Sequence, residues 1–233
     1  MPGPLVSGQA QTVLGPVDGD QLGIVDTHEH LLIDFRCVFQ EPEGASQKGL
    51  AYAPVSLRNL GWVRYHWTSN LDNLQLLDEQ TAIEEASLYV RAGGMTVVDV
   101  TSIGISRDPA ALVRIARATG LNVIMGCSYY VGATHPRDMG LKTPEDIADE
   151  IESDLTVGVG NTGIRAGIIG EVGCSWPWTD NERKVVQGSV LAQQRTGAPL
   201  MVHPGRHETA PLEIVRFLEV VGADLSRTIM CHV

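Results

Sequence analysis

The sequence predicts an α/β protein built on a parallel sheet. Three observations carry that expectation. Six short apolar runs rich in β-branched residues recur along the 233 residues. Amphipathic runs of helical length separate them. No hairpin interrupts the alternation, and strictly alternating apolar strands and helices imply parallel neighbours joined by helical crossovers. On pattern alone, a doubly wound sheet and a (β/α)8 barrel both fit.

Each element has a local reason. "LGIVDTHEH" is the first expected strand, over Ile24 to His30. Leu31 to Leu77 follows as an elaborated loop with a helical piece, including "GWVRYHWTSN". "DEQTAIEEASLYVRAGG" opens on acids and closes on Gly93-Gly94, a dipole-matched start and a glycine stop. "MTVVDVT" (95–101) is a buried strand by composition. "RDPAALVRIARATG" is a helix with Pro109 in its first turn and Gly120 at its end, and "LNVIMGCS" is the next strand. "TPEDIADEIESDL" takes Thr143 as cap and Pro144 at the first helical position. "IRAGIIGEVG" is the fourth strand, followed by a helix with a Thr179…Glu182 capping box. "APLMVHPG", the helix "APLEIVRFLEVVGAD" and "TIMCHV" complete the series.

Composition narrows the function. Hydrophobic residues make up 43% and aromatics 5%, an ordinary globular balance with an aliphatic core. The net charge is −11 and no basic stripe exists, which argues against nucleic acid and acidic membranes as partners. No apolar stretch reaches the ~20 residues that span a bilayer, and the N-terminus lacks a signal-peptide pattern. Cys37, Cys127, Cys174 and Cys231 are scattered without CxxC spacing, so reduced, buried thiols in the cytosol are expected. No GxGxxG or GxxxxGK[ST] motif supports nucleotide binding.

Ligand-capable side chains recur where the strands end. His28 and His30 close the first strand, Glu171 the fourth, His203 the fifth and His232 the sixth. Residues i and i+2 of a strand share a face, so His28 and His30 project together. A single His-X-His is weak, but four of seven histidines and one acid at equivalent positions are not what core packing produces. In a barrel these ends converge on one face. Imidazole nitrogen and carboxylate oxygen suit Zn²⁺ or a similar divalent ion. Five ligands exceed one tetrahedral shell, and two ions ~3.5–4 Å apart would use them in metal-assisted hydrolysis.

"THEHL", "IRAGIIGEVG", "HPGR" and "CH", in that order and spacing, resemble the phosphotriesterase family of the amidohydrolase superfamily, from about Gln11 to Val233. The resemblance implies a distorted (β/α)8 TIM-type barrel with two divalent metal ions, Zn²⁺ by expectation. It implies one domain over residues 1–233 that contains about six of the eight strands. His28 and His30 would hold the buried ion, and His203 and His232 the exposed one. Glu171 would bridge them, where bacterial phosphotriesterases use a carboxylated lysine. The family also carries a metal-binding, proton-accepting aspartate at the eighth strand. This chain stops one residue past His232, so that aspartate is expected outside it and the 233 residues alone are expected to be inactive.

The family covers phosphotriesters, lactones and amides. The branch resembled here implies small N-acyl amides with an anionic amine portion, of the N-acetyltaurine type. Arg206, three residues after His203, is the expected partner of that anion, and Tyr129 and Tyr130 are expected to line the pocket. Asp26 has the wrong parity for a ligand and is expected to orient a neighbour, while His66, His135 and His207 are expected at the surface. The alternatives are a phosphotriester or lactone hydrolase, or a catalytically dead, truncated form or barrel that binds a ligand or partner.

Overall fold

The computed structural model describes residues 8–233. A hairpin of β1 (Gln9–Thr12) and β2 (Gly15–Asp18) comes first. The alternation did not predict it; it lies outside the parallel sheet. Strand β3 (Ile24–Glu29) then begins that sheet. The elaborated segment after it contains β4 (Ile33–Asp34), helices α1 (Ala45–Ala51) and α2 (Leu60–Tyr65), and β5 (Gln75–Leu76), which pairs antiparallel with β4.

From there the alternation runs as expected. Helix α3 (Glu79–Arg91) leads to β6 (Gly94–Asp99), α4 (Pro109–Thr119) to β7 (Asn122–Cys127), and α5 (Pro144–Thr156) to β8 (Ile168–Gly173). Helix α6 (Asp180–Thr196) leads to β9 (Leu200–His203), and α7 (Ala210–Val220) to β10 (Thr228–Met230). The expected caps are present. Thr143 and Asp146 form a reciprocal box on α5, Thr179 and Glu182 one on α6. Gly120 and Gly197 end α4 and α6 in the left-handed region, at φ 77° and 71°, where a glycine pays no Cβ penalty.

The sheet order is β10-β9-β8-β7-β6-β3, parallel throughout. Strands sit in chain order with no reversal. A doubly wound sheet reverses at a switch point; a barrel wall does not. The two sheet faces bury different clusters. Val97, Val123, Met125, Ile169, Val172, Leu200 and Val202 pack with Leu112, Ile147, Val186, Ile214 and Leu218 of the helices. Val98, Val100, Ile168, Met201 and Cys231 form a second cluster on the inner face. Each fully buried aliphatic contributes ~1.5–3 kcal/mol, so the helix-side cluster dominates the energetics.

One irregularity positions the site. The register between β8 and β9 shifts between Ile169 and Val172, so both residues face the helices although they are three apart. Glu171 is thereby turned to the inner face. The strands approach closely there: a Cβ on Gly126 of β7 would lie 2.0 Å from the Gly170 carbonyl oxygen. No helix is long and apolar enough to cross a membrane among the described residues.

Candidate metal centre

Five side chains from four strands meet at the carboxyl ends. The Glu171 carboxylate, 2% exposed, is the hub. His28 Nε2 lies 3.4 Å from its Oε2, His30 Nε2 lies 3.3 Å from its Oε1, and His232 Nε2 lies 4.0 Å from Oε2. The His203 ring sits 4.8 Å from the His232 ring, and His232 lies 4.9 Å from His28. The ligand atoms of His28, Glu171 and His232 all fall within 4.8 Å of one another.

Two buried atoms in this cluster lack any hydrogen-bond partner, Oε2 of Glu171 and Nδ1 of His203. Buried polar atoms are nearly always satisfied, because leaving one bare costs about 1–3 kcal/mol. A cation held among these nitrogen and oxygen donors removes that cost, so the residues present fit a metal.

The electrostatics agree. Burial raises the Glu171 pKa, but the His30 imidazole beside it and the fields of His203 and His28 outweigh burial, and the net shift is downward. The carboxylate therefore stays ionised. Burial lowers His28 and His203, which keeps their lone pairs free at neutral pH. Burial also opposes charge on His30, yet the adjoining Glu171, Asp99 and Glu29 carboxylates reverse it and the net shift is upward.

Residues that sequence reasoning missed hold His30 in place. Its Nδ1 lies 3.0 Å from Thr101 Oγ1, which leaves Nε2 facing Glu171. Asp99 accepts from the Leu31 amide at 2.8 Å and the Thr101 amide at 3.1 Å. Burial pushes Asp99 up to about 6 against those bonds. Such orienting groups set tautomer and ligand basicity. The signal was available: Asp99 and Thr101 sit at the end of "VVDVT", the strand-end position that flagged the histidines. Asp26, expected to orient a neighbour, accepts from the His28 amide at 3.2 Å.

Beside His203 lies a cavity of about 250 Å³ lined by Phe35, Tyr130, Trp176, His203 and Arg206. It is at the small end of ligand cavities, which run ~300–1,000 Å³. Aromatic rings line up from the histidine outward: Tyr130 5.4 Å from His203, Phe35 5.7 Å from Tyr130, and Trp67 stacked 6.3 Å from Phe35. The Arg206 guanidinium carbon lies 4.7 Å over the Trp67 ring. Thus the segment after β3 supplies one wall, and Trp67 restrains a side chain that is otherwise exposed.

Two expectations need correction. Tyr129 does not line this cavity; its hydroxyl bonds Glu150 of α5 and receives Lys142 Nζ at 3.0 Å. Adjacent residues leaving a strand diverge, so only one of the tyrosine pair can face the site. His135 is not a surface residue. It is half-buried, with Nε2 2.8 Å from the Tyr130 carbonyl and its ring 6.0 Å from Tyr129. His66 and His207 are exposed, as expected, and stack on Trp62 and Trp176.

Residues 8–233 match the sequence profile described as "Phosphotriesterase family". The chain belongs to the phosphotriesterase family. It is 45% identical to the N-acetyltaurine hydrolase of Salmo salar over 228 residues, which cover 97% of this chain and 65% of that protein. It therefore spans just under two thirds of the length of such relatives. A resiniferatoxin-binding protein from Rhodobacter sphaeroides superposes with a TM-score of 0.94 at 40% identity, over 97% of this chain and 63% of that one. The phosphotriesterase homology protein of Escherichia coli, solved with phosphate in its active site, gives 0.72 at 25% identity, over 91% and 63%. These barrel relatives bear out the TIM-type fold, of which this chain forms a curled six-stranded part.

Proposed function

We propose that the protein is a metal-dependent hydrolase of small N-acyl amides whose amine portion carries an anion. Residues 8–233 would contribute four histidines and a bridging carboxylate to a binuclear centre, with zinc as the ion proposed, within a single barrel domain. The observation that carries this reading is the pair of buried, unpartnered atoms, Glu171 Oε2 and His203 Nδ1, inside a five-residue cluster of N and O donors. His28, His30, Glu171, His203 and His232 would hold the metals. Bound there, divalent ions lower the pKa of water and polarise a carbonyl oxygen.

The chain's own residues supply the rest. Glu171, kept ionised, holds negative charge between the imidazoles. His28 and His203, kept neutral by burial, offer lone pairs without first losing a proton. Tyr130 and Phe35 form an apolar wall that excludes water from the acyl side. Arg206, restrained over Trp67, presents forked donors to an anionic amine portion. Identity of 45% to an N-acetyltaurine hydrolase supports an amide bearing a sulfonate.

The test is metal analysis together with hydrolysis of N-acetyltaurine, N-acyl amino acids, lactones and phosphotriesters by the full-length protein. Anionic amides should be the preferred class. His203→Ala should lose at least one metal equivalent and most activity. Unchanged metal content and rate in that variant would sink the assignment. Preference for lactones would leave the metal centre standing and overturn the substrate.

A further inference from the structure

A second polar site lies at the opposite ends of the same strands. A cavity of about 800 Å³ opens where β8, β9 and β10 begin, bounded by the N-terminal hairpin and by α5 and α6. Gln11, Arg165, Arg195 and Arg227 line it. Three arginines together are notable in a chain of net charge −11, whose overall field repels anions.

Two of the three are occupied. Arg195 Nη1 lies 2.6 Å from Asp149 and 3.3 Å from Glu152. Arg227 Nη1 donates to the Gly197 carbonyl at 2.7 Å, and its Nε lies 3.8 Å from Asp224. Arg165 differs. It is only 7% exposed, and among the described residues it has no hydrogen bond, ion pair or ring contact. By contrast Arg107, whose side chain is 7% exposed, is paired at 2.8 Å with Asp154. The Arg165 guanidinium nitrogens are not among the buried unpartnered atoms, so they open onto the cavity as a fixed positive charge with free donors, which an anion can take. Gln11, 4% exposed in the same cavity, leaves its Oε1 unpartnered as well.

We propose that this cavity is an oxyanion-binding site built on Arg165. The planar fork of Arg165 would take two oxygens of one carboxylate or phosphate group. Arg195 and Arg227 are already matched by Asp149, Glu152 and Asp224, so Arg165 is the cation left to receive the anion. Hydrogen phosphate supplies acceptors for Arg165 and a donor for Gln11, which makes inorganic phosphate the natural probe. The same chemistry has two sources: a free small anion, or a carboxylate side chain outside residues 8–233. Neither depends on the metal centre, so the site stands or falls apart from the proposed activity.

The experiment compares wild-type full-length protein with Arg165→Met and Arg165→Lys. It uses calorimetric titration with inorganic phosphate and thermal melts in low-salt buffer. For a free anion, phosphate raises the wild-type melting temperature, and Arg165→Met weakens its Kd by roughly ten- to a hundredfold, the loss of a charge-assisted contact. Without phosphate that variant melts no lower than wild type, because Arg165 has no partner among the described residues for the substitution to strand. For a carboxylate of the protein itself, phosphate has no effect. Arg165→Met then melts lower, Arg165→Lys recovers part of the loss, and the loss vanishes below about pH 4, where carboxylates protonate. If phosphate acts equally on wild type and Arg165→Met, the proposal is overturned. It is equally overturned if phosphate has no effect and Arg165→Met costs nothing, or costs the same at every pH.

Discussion

Glu182 shows how one side chain can link a helix cap to the cavity beside His203. Its fully buried carboxylate accepts from the Gly132 amide at 2.8 Å, the Ser175 amide at 3.0 Å, the Ser175 hydroxyl at 2.8 Å and the Thr179 amide at 2.6 Å. Gly132 follows β7 and Ser175 follows β8, so two loops are tied to the start of α6. Those loops carry Tyr130 and Trp176, which face the cavity beside His203. Glu182→Ala leaves two partly buried amides without an acceptor, at about 1–3 kcal/mol each, and removes half of a capping box, about 1 kcal/mol. The expected loss is about 3–7 kcal/mol, a large share of the ~5–15 kcal/mol that holds a domain folded. Glu182→Gln keeps the shape and one acceptor oxygen and should lose less. The pH dependence supplies an independent check. Burial raises the Glu182 carboxyl, but its bonds from Gly132, Thr179 and Ser175 prevail and the net shift is downward. A carboxyl depressed on folding contributes stability that is complete above its unfolded pKa of about 4.3 and lost as pH falls through the lower folded value. Urea melts of wild type and Glu182→Gln should therefore converge as pH drops below about 4. Steady-state kinetics of Glu182→Gln should show KM raised more than kcat is lowered, with metal content unchanged. A loss below about 1 kcal/mol in Glu182→Ala, or a wild-type-to-Gln gap that is constant with pH, would refute the reasoning.

Other expectations follow from the same geometry. Asp99→Ala frees the Leu31 and Thr101 amides and the group that orients His30, so metal affinity by competitive chelation should fall about ten- to a hundredfold. Because Glu171 supplies its carboxylate without modification, metal reconstitution should proceed equally with and without bicarbonate; a CO₂ requirement would remove Glu171 as the bridge. Arg206→Ala should lower kcat/KM for an anionic amide by roughly ten- to a hundredfold and spare a neutral ester. Trp67→Ala should reproduce part of that loss and Trp67→Phe less of it, since the ring that restrains Arg206 is what changes; equal losses on charged and neutral substrates would mean that both residues support the loop alone.

The order of elements was legible in the sequence because each follows from local chemistry. Six apolar runs, the Thr143 and Thr179 caps and the stop at Gly120 needed nothing from distant parts of the chain. The candidate site was legible too, because parallel strands carry equivalent positions to a common end and His28, His30, Glu171, His203 and His232 occupy those positions. What the tertiary structure decided depends on contacts that no local pattern encodes. The sequential strand order excluded the doubly wound sheet. The register shift before Val172 turned Glu171 inward, and a one-residue slip moves a side chain to the other face. Tyr129 and Tyr130 look equivalent in sequence, yet one bonds Glu150 and the other faces His203. Trp67 meets Arg206 across 139 positions of chain, and Glu182 gathers amides from two loops besides its own cap. Arg165 is a plain strand-leading arginine until the fold buries it with no partner at hand. Local sequence sets which backbone each segment prefers; only packing sets which side chains end up without water and therefore what they must find instead.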